Sequence, residues 1–70
     1  MITDAEFQEL IGLYAEFHTA IDPFDPEMIA AEERFWVRLR DLHEARAEGV
    51  EFPEFRRFVV RRAVEFLRKN

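Results

Sequence analysis

Residues 22–26 read DPFDP, and how this stretch is taken decides the fold. A proline disfavours helical geometry in the residue before it, so Pro23 stops a helix arriving from the N-terminal side. Asp25 is a good N-cap, and Pro26 suits the first helical position, where its missing N–H would have no intrahelical partner. One helix therefore ends before this stretch and another begins within it. Phe24 and Ile29 stand at the two positions of a hydrophobic staple around the new start.

Towards the N-terminus, Thr3 and Glu6 form the capping-box pattern TDAE, with Ile2 and Phe7 at the staple positions. Phe7, Leu10, Ile11, Tyr14, Phe17 and Ile21 then recur at helical spacing, which predicts a helix over 4–21. Towards the C-terminus, Met28, Phe35, Trp36, Leu39, Leu42 and His43 line one side of a second helix, over 26–48. Gly49 is expected to end it in the left-handed conformation, with Val50 following. A third helix over 53–69 has a weaker start, because Phe52 ahead of Pro53 offers no capping oxygen. Its stripe is Phe55, Val59, Ala63, Phe66 and Leu67, widened by Val60 and Val64. Arg68 and Lys69 close it with the sign that a helix C-terminus favours.

Each stripe covers close to half of its helix, the width needed to touch two neighbours. Links as short as 22–25 and 49–52 make consecutive helices antiparallel. The expected fold is all-α, an up-down-up antiparallel three-helix bundle, with residues 1–70 as one domain. A core drawn from 70 residues rarely supplies more than ~3–5 kcal/mol. This chain has no cysteine to staple it but carries eight phenylalanines, and self-association is a common remedy. The start, MITDAEF, lacks a basic region followed by an apolar stretch, and no apolar run approaches the ~20 residues that cross a bilayer. Together with the missing cysteines, this points to the cytoplasm.

Charge is unevenly distributed. Residues 1–35 carry nine acidic side chains and one basic one, Arg34, for −8; residues 36–70 carry nine basic and six acidic, for +3. Nine of the ten basic residues are arginine, whose planar fork grips carboxylates and phosphates better than lysine does. The stretch RRFVVRR at 56–62 concentrates four of them. At ~100° per residue, Val59 and Val60 turn inward while Arg57 and Arg61 turn outward, with Arg62 flanking the stripe. Glu54 and Glu65 stand where they could form intrahelical ion pairs, the ordinary state of a solvated helix face.

Phe58 does not fit that ordinary state. It falls in the middle of the charged face, and an aromatic ringed by arginines is the usual composition of an interface centre. The expected function is a non-enzymatic protein–protein interaction module that self-associates through the third helix. Phe58 is its centre and Arg57, Arg61 and Arg62 its charged rim. The partner is a second copy or an acidic protein, with Glu9 and Glu16 on the polar side of the first helix as the acidic complement in another copy. The alternative is a nucleic-acid-associated protein that contacts phosphates with the same arginines. Against it stands a pI near 4.9, where nucleic-acid modules are usually basic.

Signs of catalytic chemistry are sparse. His18 and His43 lie in no metal-binding helical frame, Gly12 and Gly49 stand alone, and the only Ser or Thr hydroxyls belong to Thr3 and Thr19. No catalytic residue, cofactor or metal is expected. Glu32 falls at a helical angle among Met28, Phe35, Trp36 and Leu39. It is expected at the edge of the core, paired with His18, Arg62 or Lys69; a Glu32–His18 acid/base pair is a distant third function. Trp36 is expected to be largely buried, and His43 to be packed and hydrogen-bonded.

Overall fold

A computed structural model describes residues 2–19 and 21–69. Three helices, α1 (Asp4–Ala15), α2 (Pro26–Arg46) and α3 (Phe52–Lys69), pack as an up-down-up bundle, and among the described residues there is no strand. The α1 start forms as its sequence implies. Thr3 Oγ1 accepts from the Glu6 N–H at 3.1 Å, and Glu6 Oε1 accepts from the Thr3 N–H at 2.9 Å. That bond from the Thr3 backbone, aided by Arg46, holds the Glu6 carboxyl below its ordinary pKa. A depressed carboxyl pKa stabilises the fold above its unfolded value of ~4.3, and the contribution is lost as pH falls through the lower native value. Thr3→Ala removes the capping oxygen and is expected to cost ~0.5–2 kcal/mol, read as a lower urea midpoint at neutral pH.

α1 ends at Ala15 rather than Ile21. Past Ala15 the chain tightens: the N–H groups of Glu16 and Phe17 bond carbonyls three residues back, those of Leu13 and Tyr14. This turn carries the Phe17 ring to 5.6 Å from Phe35, beside Tyr14 at 5.5 Å, so tertiary packing takes over where the sequence has no stop signal. Ile21, expected on the α1 stripe, is left 98% exposed. α2 starts on Asp25, whose Oδ1 accepts from the Glu27 N–H at 2.9 Å. The staple expected there stays open, with both Phe24 and Ile29 exposed.

α2 ends at Arg46, two residues before the expected 48, because Ala47–Val50 close a turn through the Val50 N–H to the Ala47 carbonyl, 3.1 Å. Gly49, the third residue of that turn, has φ +83°, which a side chain would strain. His43 clasps the turn: Nε2 donates to the Val50 carbonyl at 2.6 Å, and the ring packs on Phe52 and Phe55.

Leu10 of α1, Phe35, Leu39 and Leu42 of α2, and Phe55 and Val59 of α3 are fully buried and make the core. Three ion pairs run along the antiparallel seam between α2 and α1 with its cap Glu16: Arg46 with Glu6 at 3.2 Å, Arg38 with Glu9 at 2.9 Å and Arg34 with Glu16 at 4.0 Å. Arg38 grips Glu9 with two nitrogens, and this bond raises the guanidinium pKa above its ordinary value. Exposed pairs of this kind specify alignment more than they stabilise.

Candidate docking face

α3 carries six basic and two acidic side chains, +4, whereas residues 1–51 carry thirteen acidic and four basic, −9. Its inward side buries Phe55, Val59 and Ala63. Its outward side presents Arg57, Arg61 and Arg62, all exposed, around Phe58, which is 44% exposed. The four residues expected to form one site do stand together on one face. The intrahelical ion pairs expected to quiet them are not formed: among the described residues every ion pair joins α2 to α1 or to Glu16 just after it, and none involves α3.

Phe58 is less isolated than its helical angle implied. Its ring meets Phe7 of α1 edge-to-face at 6.3 Å, and the Arg62 guanidinium lies over both rings, 5.9 Å from Phe7 and 5.8 Å from Phe58. Such cation–π contacts hold a charge beside an apolar surface without neutralising it. Phe7, Ile11, Phe58 and Phe66 line a groove of ≈ 450 Å³ between α1 and α3, with Arg62 and Lys69 on its rim. The sequence places Phe58 on α3 but does not show this groove, because the α1 partner of Phe58 depends on how the helices cross. The staple residue Phe7 was the one available signal.

Of the acidic complement expected on the first helix, Glu9 is gripped by Arg38 of the same chain, while Glu16, the residue after α1, stands 4.0 Å from Arg34. Glu32 is exposed rather than at the core edge, and its Oε1 accepts from Trp36 Nε1 at 3.3 Å. The sequence placed it on the buried side because it shares an angle with Phe35, but α2 turns that edge to solvent. Trp36 is accordingly half-buried, with its ring on Phe35 and under the Arg56 guanidinium at 6.0 Å. His18 stacks on Tyr14 with Nδ1 3.4 Å from the Ala15 carbonyl, so the imidazole and the Glu32 carboxylate have different partners. His43 is packed and hydrogen-bonded, as expected.

Among the described residues, no group of three or more His, Cys, Asp or Glu side chains could hold a metal ion. Likewise, no described helix is long and apolar enough to cross a membrane. Comparison of the chain with protein-family models, curated proteins and solved structures gives no match.

Proposed function

We propose that this chain is a non-enzymatic interaction module that self-associates through the outer side of α3 and the groove α3 shares with α1. The observation that carries this is the half-exposed Phe58 among arginines that form no ion pair with any described residue. A solvated face of this composition would ordinarily pair Glu65 with Arg61 or Arg62. Left open, the guanidinia and the aromatic beside them have the makeup of an interface core with a charged rim. Simple face-to-face pairing of two α3 helices is opposed by arginine meeting arginine, so the partner surface is acidic.

Fully burying a phenylalanine is worth ~1.5–3 kcal/mol, and Phe58 retains less than half of its area to bury. Phe58→Glu is therefore expected to weaken association about three- to tenfold, at ~1.4 kcal/mol per decade, while helicity is kept. Light scattering over a concentration series measures both proteins. Wild type that stays monomeric into the high micromolar range would refute self-association. A salt-sensitive gel shift with duplex DNA or RNA would instead favour the phosphate-binding alternative, to which the same arginines would contribute.

A further inference from the structure

Residues 21–25, IDPFD, hold the two most exposed large apolar side chains among the described residues, Ile21 at 98% and Phe24 at 82%. The segment is a hydrogen-bonded turn: the Asp25 N–H donates to the Asp22 carbonyl at 3.2 Å, and the Phe24 N–H to Asp22 Oδ1 at 2.9 Å. Phe24 is thus held outward as a preorganised knob, with Asp22 and Asp25 on its two sides. Preorganisation of this kind lowers the entropic cost of docking.

The α1–α3 groove has the complementary character. Its apolar floor, Phe7, Ile11, Phe58 and Phe66, matches the knob, and Arg62 and Lys69 on the rim match the aspartates. Asp4 and Glu65 balance these two cations within the groove itself, so the positive charge that would face the aspartates is that of the α3 surface beside it, where Arg57 and Arg61 stand. We infer that the Phe24 turn of one copy seats in the α1–α3 groove of a second copy, with Asp22 and Asp25 facing the α3 arginines. This rests on the proposed docking role of the groove and supplies an acidic partner surface with no described arginine paired to it, since Asp22 and Asp25 each accept one backbone N–H and keep their charge. A contact between two different patches is heterologous, so it propagates into a ring or an open chain unless two copies dock reciprocally.

Complementation of two defective variants tests it. Phe24→Asp destroys the knob and keeps the groove; Phe58→Glu destroys the groove and keeps the knob. Circular dichroism checks that both fold, and Arg62→Glu, at an exposed position, replaces Phe58→Glu if that variant loses helicity. Each variant alone is expected to stay closer to monomer than wild type at every concentration where wild type associates, and a 1:1 mixture is expected to restore a two-chain complex that grows no further. Association of Phe24→Asp at wild-type strength overturns the knob yet leaves docking through α3 standing. Two weakened variants that fail to complement each other also overturn it. Wild type that is monomeric throughout overturns both proposals.

Discussion

Phe35→Ala is expected to leave the chain largely unfolded at 25 °C. Phe35 is fully buried at the point where α1 and α2 meet, with its ring 5.5 Å from Tyr14, 5.6 Å from Phe17 and 5.1 Å from Trp36. Truncating a buried phenylalanine costs ~3–5 kcal/mol, because the lost transfer energy adds to the energy of the cavity left behind. A small core without disulfides rarely supplies more than ~3–5 kcal/mol altogether, so the loss matches the whole stability. Phe17 has a further dependence on Phe35, since the turn after α1 is held by that ring contact rather than by a sequence stop. Phe35→Leu keeps most of the apolar volume and is expected to fold with a lower melting temperature. Far-UV circular dichroism during thermal unfolding measures both beside wild type. A cooperative Phe35→Ala transition only a few degrees below wild type would mean that the α1–α2 contact is not the centre of the fold.

The helices were legible where a local signal carried the whole physical cause. Thr3 and Asp25 cap because their oxygens reach N–H groups two or three residues away, a geometry independent of the rest of the chain. Leu10, Phe35, Leu39, Leu42, Phe55 and Val59 were legible because each sits near the middle of its stripe and stays buried under any small rotation of its helix. Residues at the stripe edges were not. Glu32, Phe66 and Ile21 shared an angle with core residues, but helix tilt, crossing and the early end of α1 decide which edge is covered. Helix ends governed by tertiary contact were also hidden. α1 stops to bring Phe17 onto Phe35, and α2 stops to form the turn that His43 clasps.

The candidate site divides the same way. Phe58, Arg57, Arg61 and Arg62 were legible because one helix carries all four. The floor supplied by Phe7 and Ile11 belongs to α1, and the engagement of Glu9 and Glu16 depends on arginines some 18 to 29 positions along the chain. Spacing within a helix says nothing about such pairs. The exposed Phe24 was hidden for a related reason: the staple pattern assigns it a contact with Ile29, whereas the Asp22 turn holds the ring away.

Val59→Glu is expected to abolish the fold at neutral pH, although the same substitution one residue earlier is expected to spare it. Val59 is fully buried in the core beside Phe55, whereas Phe58 is 44% exposed at the mouth of the groove. An unpaired carboxylate in the Val59 position would be desolvated, at a cost of several kcal/mol that a core worth about 3–5 kcal/mol does not cover. Desolvation raises the carboxyl pKa in the folded state above its unfolded value of ~4.3, so the penalty is smallest below that value and grows as pH rises. Relative to wild type at each pH, Val59→Glu should therefore recover helicity near pH 4 and lose it by pH 7. Phe58→Glu should show no such recovery, because its carboxylate remains in water. Two adjacent apolar residues, ~100° apart on one helix, then separate the two roles of α3: one substitution removes the fold and the other only the association. If Phe58→Glu loses as much helicity as Val59→Glu, Phe58 is a core residue, and the proposed docking face has no centre.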